Sequence, residues 1–430
     1  ALRREVEPVD QSALARFLTS WHDISSPRRG VEALVESLGL LSGSALVASA
    51  LESDLLPSRV NGYRPAMLDE LCTAGEVVWI GAGGLGARDG RIRLAFADQV
   101  AMLAPAWEQQ PQPAEPLHDA LRAFLHASGA SFWNQLRGSE PAATDEELLA
   151  ALWDLVWAGE VTNDSLAPVR AYLGGAGATK SGRSTRRSRG RPRLDRLSRI
   201  GPPAGQGRWS LVAPLLQPAP APTEAVHAQA LQMVERYGVV TREAVLAEGV
   251  SGGFAGVYGV LKVLEERGQV RRGYFVDGLG AAQFALPGAV DRLRAARETP
   301  DPMLHPGDVP PPLILASTDP ASPFGAAIPW PDTEGRPARS ANSVVVVQAG
   351  VPLVWVDRRS HHLVTVPAAA DSVAWAHALV EMVKDGRSKA AEVRKVNGRP
   401  LTDPAVPAFV GDQLRGAGFV DGYRGLVYRA

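Results

Sequence analysis

The fold is decided by residues 225–286, which read AVHAQALQMVERYGVV (225–240), TREAVLAE (241–248), SGGFAGVYGVLKVLEERG (251–268) and QVRRGYFVDGLGAAQFAL (269–286). Three helical runs are followed by two short strand-like runs around a glycine turn. Helices that end in a β-hairpin give the winged-helix layout, in which the hairpin is the wing. Phe254, Tyr258 and Lys262 fall at i, i+4 and i+8, on one face of the last helix, and Arg271 and Arg272 open the hairpin. This is the pattern of a recognition helix with a phosphate-binding wing, although two aromatic residues at helical spacing read equally well as core.

The same grammar recurs on the N-terminal side. DQSALARFLTSWH offers Asp10 as N-cap and sets Leu14, Phe17, Leu18 and Trp21 on one stripe. PRRGVEALVESLGLL, ALESDLLPSRV and YRPAMLDELCTAG follow, the last closed by Gly75, and then the strands EVVWIG and RIRLAF. A further unit begins at PLHDALRAFLHASGASFWNQL and continues through ATDEELLAALWDLVWAGEVTND, where Thr144 and Glu147 have capping-box spacing. Its wing pairs EVTND with GRWSLV, with residues 174–207 looped out between them. Beyond residue 300 the period changes to β-branched runs, PPLILAS, SVVVVQAG, VPLVWVDR and HHLVTVP, separated by turns. The expected class is α+β: tandem winged-helix modules at 1–105, 115–216 and 222–298, then a small β-barrel-like C-terminal domain at 305–430.

Lys plus Arg is 45 and Asp plus Glu is 46, so a net charge of -1 excludes a histone-like coat protein, and any nucleic-acid affinity must be local. It is local. Lys180, Arg183, Arg186, Arg187, Arg189, Arg191, Arg193, Arg196 and Arg199 face a single acid, Asp195, which gives this loop a net +8 and leaves about -9 on the rest. Arg-rich loops of this kind neutralise phosphates and bind nucleic acid in a salt-sensitive, sequence-blind way. The single cysteine, Cys72, allows neither an intrachain disulfide nor a Cys-based zinc site and fits a reducing cytoplasm. No run approaches the length of a membrane span. The absence of an initiator Met suggests a fragment of a longer chain.

Two glycine-rich motifs invite a cofactor and do not support one. GAGGLG (81–86) has dinucleotide-turn spacing but leads through Asp89-Gly90 into the strand RIRLAF, whereas such a turn must open a helix. GGAGATKS (174–181) carries Thr179 where a phosphate loop needs Gly. The histidines lack metal-ligand company. Among the acids, Asp319 in STDPASPFG reads first as a turn residue and Asp357 in VWVDRR as the partner of a neighbouring arginine.

The long runs LESDLLPSRVNGYRPAMLDELCTAGEVVWIG, RYGVVTREAVLAEGVSGGFAGVYGVLKVLEERGQVRRGYFVDGLGAAQFALPGAVDRLR and LASTDPASPFGAAIPWP resemble the C-terminal region of Lhr-type superfamily II DNA helicases. The resemblance implies a 3′-to-5′ ATP-dependent translocase as parent, with ATP and Mg confined to a motor outside this chain and no cofactor within it. It implies DNA, single-stranded or forked, and the motor of the same parent as partners, and a cytoplasmic, nucleoid-associated bacterial location. Ten tryptophans and many apolar residues for a modest set of small cores add self-association, a homo-oligomer, as a further expectation. That region in turn resembles the AlkZ and YcaQ glycosylases, which combine winged helices with a β-barrel. Their Gln-hydrophobic-Gln motif is absent; the one Gln-x-Gln, Gln110-Pro111-Gln112, lies in a Pro-rich connector. A base-excising alternative would instead use a carboxylate, Asp319, Asp357 or Glu52, to position water against an oxocarbenium-like sugar.

Overall fold

The structure is a computed structural model that describes residues 7–174, 201–280, 282–297 and 309–429. Contacts divide the chain into two units. One holds residues up to 33, 50–62 and from 230 onward; the other holds residues 34–49 and 63–229.

In the second unit two three-stranded antiparallel sheets share one topology, with the first strand at one edge, the last strand in the centre and the middle strand at the other edge. In the first sheet these are Leu46–Val47, Gly90–Phe96 and Val77–Gly84; in the second, Ser131–Phe132, Arg208–Leu211 and Val161–Asn163. This is the winged-helix sheet, and the hairpin expected from VVWI and RIRLAF is present.

Gly81 of the GAGGLG run and Gly90 beyond it serve packing. The Val77–Gly84 strand lies against helix Asp145–Trp157 and strand Val161–Asn163. A Cβ on Gly81 would sit 1.8 Å from the Val156 carbonyl oxygen, and one on Gly90 would sit 2.4 Å from the Trp157 ring. The Thr162 hydroxyl donates to the Trp79 carbonyl and Trp79 Nε1 to the Ser165 carbonyl at 3.1 Å. Helix Asp145–Trp157 starts as its sequence requires: Thr144 Oγ1 accepts from the Glu147 N–H at 3.2 Å, and the Glu147 carboxylate accepts from the Thr144 N–H at 2.8 Å.

The first unit contains the third winged-helix sheet, Val239–Val240, Gln283–Ala285 and Arg271–Gly273, in the same order. Its core takes in a helix from far away in sequence. Gln11–Trp21, N-capped by Asp10 through the Ala13 N–H at 2.6 Å, sends Leu14, Phe17 and Leu18 among Met233, Val234, Val290 and Leu293. Arg16 ties it down by donating to the carbonyls of Ala296 and Ala349, both at 2.7 Å. The helix expected to open the first module, 1–105, thus packs with the third, because its apolar stripe matches helix Pro287–Ala295.

A six-stranded sheet follows, in the linear order Leu313–Ala316, Ser343–Gln348, Val351–Asp357, His362–Thr365, Lys395–Val396, Arg399–Pro400. No closed barrel is found here: among the described residues the ladder does not close, and both faces of the sheet are covered. Leu315, Val345 and Val347 face the core that holds the third module, whereas Ile314, Val344 and Val346 face a second core built on helix Ala374–Lys384. The run VVVV is apolar at every position for that reason.

The last 56 described residues repeat the winged-helix order once more. Helix Ala374–Lys384, strand Ala390–Val393, helix Ala408–Gly416 and the hairpin Val420–Asp421 with Leu426–Arg429 form a sheet in which the last strand is again central. The hairpin Lys395–Pro400, lent to the six-stranded sheet, stands where the other modules have a middle helix. Among the described residues no helix is long and apolar enough to cross a membrane.

Candidate nucleic-acid interface

In the third module Thr241 caps helix Arg242–Ala247 through the Ala244 N–H at 3.2 Å. A turn through Gly249 and Gly252, both at positive φ, leads to helix Gly253–Glu266. Gly256 is required there, since a Cβ would lie 2.7 Å from the Ser251 carbonyl oxygen. Val257, Leu261 and Leu264 point inward. The outer stripe is Ala255, Gly259, Lys262, Val263 and Glu266, all exposed. A Cβ on Gly259 would meet nothing within 4 Å, so the fold itself does not demand that glycine. The stripe is therefore low, with one cation rising from it.

Phe254 and Tyr258 are half-buried and pack on Phe284, with Tyr258 edge-on to it at 5.8 Å between ring centroids. The Tyr258 hydroxyl accepts from Arg272 Nη1 at 3.4 Å, and Glu265 pairs with Arg272 Nε at 3.2 Å. That hydroxyl, then the Glu265 charge, raises the pKa of Arg272 and fixes its position. Arg271 is exposed on the edge strand beside it. Between recognition helix and wing runs an open groove of about 630 Å³ lined by Arg242, Leu246, Phe254, Tyr258, Gly280 and Ala282. The arrangement can lay a helix backbone close to a polyanion and place cations on either side of it.

Residues 9–97 and 219–304 match two family models, both described as a winged-helix domain of the large helicase-related protein, Lhr. The chain is 42% identical over its whole length to the Lhr helicase/probable uracil glycosylase of Mycolicibacterium smegmatis, and 34% identical over 99% of its length to the Lhr helicase/uracil glycosylase of Escherichia coli. The chain is thus similar along its length to these Lhr proteins and carries two winged-helix domains of the Lhr type. It spans 29% and 28% of the length of those relatives. The Streptomyces sahachiroi DNA glycosylase AlkZ superimposes on 91% of this chain, over 100% of its own, with a TM-score of 0.48 at 12% identity, a likeness too low to bear on function.

The three acids expected at a catalytic site lie in different surroundings. Asp319 is 1% exposed. Its Oδ1 accepts from Arg59 Nη2 at 2.6 Å and from the Ala321 N–H at 2.8 Å, and its Oδ2 from Arg59 Nη1 at 2.8 Å. Burial pushes this carboxyl up, and the Arg59 charge and hydrogen bonds outweigh it, holding it below the usual carboxylate range. Both oxygens are thus occupied inside the protein, and the position expected of a water-positioning base is a buried ion pair. Asp357 is half-buried, and its Oδ1 accepts from the N–H groups of Arg359 and Ser360 at 2.8 and 3.1 Å, so it shapes the turn after its strand. Glu52 sits in the π-helical segment Leu51–Leu55, partly buried.

The sequence reading missed Asp54 and Arg59, two residues of ALESDLLPSRV. Asp54 is fully covered and accepts from Arg358 Nη2 at 2.8 Å and Arg387 Nη2 at 3.2 Å. Arg358, one of the two arginines that follow Asp357, is spent here. His22 completes the other cluster: Arg59 Nη2 donates to its Nδ1 at 3.2 Å, and since a guanidinium has no acceptor the ring carries its proton on Nε2. Burial first, and the Arg59 charge second, push the His22 pKa down to about 3. A charged pair spaced i, i+5 inside an apolar run was the available signal for this burial. Among the described residues no group of three His, Cys, Asp or Glu could hold a metal ion. Lys180, Arg183, Arg186, Arg187, Arg189, Arg191 and Arg193 lie outside the described residues.

Proposed function

We propose that this chain is a DNA-binding, non-motor region of a larger ATP-dependent Lhr-type repair helicase, and that it holds single-stranded or forked DNA for a motor carried elsewhere in the parent. The observation that carries the reading is the third module's outer face, where the low stripe of the recognition helix bears Lys262 and is flanked by Arg271 and the braced Arg272. The Arg-rich loop adds sequence-blind phosphate neutralisation. The test is a titration with single-stranded and forked oligonucleotides over a salt series. Wild type should bind at low salt with a steep slope, and Lys262→Ala and Arg271→Ala should each weaken binding uniformly across sequences and reduce the slope by about one. Salt-independent affinity, or none at low salt, removes the proposal. Self-assembly belongs to the same reading; a monomer mass by light scattering over a wide concentration range removes that part.

A second reading, uracil-DNA glycosylase, is favoured by the names of both relatives. Among the three acids, Asp357 is half-buried at the end of its strand, and the turn's hydrogen bonds engage its Oδ1. Uracil-containing oligonucleotides incubated with the chain and then treated with alkali should show strand breaks that Asp357→Asn abolishes; breaks no more frequent than with heat-killed protein exclude the activity.

A further inference from the structure

The C-terminal hairpin occupies the wing position of the last winged-helix repeat, and its tip is built differently from its strands. Gly422, Tyr423, Arg424 and Gly425 make a four-residue turn closed by the Gly422 N–H donating to the Gly425 carbonyl at 2.7 Å. Both ends are fixed. A Cβ on Gly425 would lie 2.1 Å from the Val393 carbonyl oxygen, and one on Gly422 would lie 3.2 Å from the Gly425 carbonyl oxygen. The two central residues are thrust outward: Tyr423 is 96% exposed, and the Arg424 guanidinium lies 5.6 Å from the centre of its ring. The third module's wing carries the same chemistry, Arg271 and Arg272 followed by Tyr274. There the tyrosine is tied back, its hydroxyl donating to Asp277 Oδ1 at 2.8 Å and accepting from the Gly278 N–H at 2.8 Å. On the C-terminal wing the ring stands clear of the fold, with Arg424 beside it.

We propose that the C-terminal wing is a second DNA contact, in which Tyr423 stacks on an unpaired nucleobase and Arg424 neutralises the adjoining phosphate. The inference rests on the DNA-binding reading above and assigns it a new site. The charge at the tip suits a polyanion: Arg424 is exposed, while Arg415 pairs with Asp421 at 3.1 Å. An aromatic ring beside an arginine on a rigid loop is a platform for single-stranded nucleic acid, since every base has a π-face and the loop loses little freedom on binding.

The test uses the full chain and a forked oligonucleotide with one 2-aminopurine walked along its single-stranded arm. Wild type should quench the fluorophore at one or two positions. Tyr423→Ala should abolish that quench and weaken binding roughly 5- to 100-fold, with Tyr423→Trp retaining both. Arg424→Ala should leave the quench and lower the salt slope by about one. Because Tyr423 supports nothing in the fold, its loss should leave the unfolding midpoint unchanged. Equal quenching and affinity in Tyr423→Ala overturn the proposal, as does a change in oligomeric mass with DNA binding intact, which would make the tip a contact between copies of this chain. If Lys262→Ala and Arg271→Ala weaken binding while Tyr423→Ala does not, only this inference falls; if wild type binds no DNA at low salt, both fall.

Discussion

The hairpin Val77–Phe96 and the hairpin Arg271–Ala285 hold the same place in the same topology and have opposite surfaces. The first is stripped to glycine where it meets helix Asp145–Trp157, so that backbone touches backbone; the second carries exposed arginines and a recognition helix whose outer face is open. A wing is thus a frame that packing or binding can claim, and side chains decide which. The same division separates the charges: Arg59, Asp319, Asp54 and His22 are sealed inside, whereas Lys262, Arg271 and Arg424 are offered to solvent. Substitutions in the first group should register in stability and those in the second in binding.

The sharpest way to break this division is Asp319→Ala. It strands Arg59 as an unpaired buried cation and should cost about 3–5 kcal/mol in denaturant unfolding, while the double change Arg59→Met, Asp319→Leu should recover much of that loss. Unaltered stability would show that the pair is not sealed. Acid is the next probe. His22 has a folded pKa near 3, below its unfolded value of about 6.5, so its contribution is complete above pH 6.5 and is lost as the pH falls towards 3, at about 1.4 kcal/mol per pH unit. Asp319 and Asp54, depressed in the same direction, add to the loss below about pH 4. Unfolding midpoints measured from pH 7 to pH 4 should fall, and His22→Asn should flatten the upper part of that slope.

Gly81→Ala should then destabilise by about 1–3 kcal/mol through overpacking against Val156 and leave affinity for DNA unchanged when the folded protein is titrated. Smallest is Gly259→Ala. With open space around its Cβ, it should stabilise by roughly 0.5–1 kcal/mol in thermal unfolding and, where a backbone must approach DNA closely, weaken binding. A stabilised variant with full affinity would mean that the low stripe is not the contact.

Local chemistry was legible in the sequence, and long-range partnership was not. Asp10, Thr144 and Glu147 cap as their spacing says, Asp319 makes the Asx turn its Pro-following context suggests, and GAGGLG is strand and turn. These depend on neighbours within a few positions. Helix Gln11–Trp21 could be read as a helix but not assigned to the third module, since an apolar stripe does not name its partner. Val344 to Val347 announced a buried strand without saying that alternate residues enter two different cores, so a barrel-like domain was expected and its sheet is covered on both faces. The candidate interface was legible as Lys262, Arg271 and Arg272; that Tyr258 is half core and half brace depended on Phe284 and Arg272 arriving from another strand.

The docking of helix Gln11–Trp21 sets an order on synthesis. Its partners, helix Pro287–Ala295 and the carbonyls of Ala296 and Ala349, emerge from the ribosome long after it does. At about 5–20 residues per second the helix waits on the order of 15 to 60 s with its apolar stripe uncovered. During that interval it is a natural client for a chaperone, and a nascent chain stalled before residue 290 should be far more open to proteolysis at this helix than the finished protein.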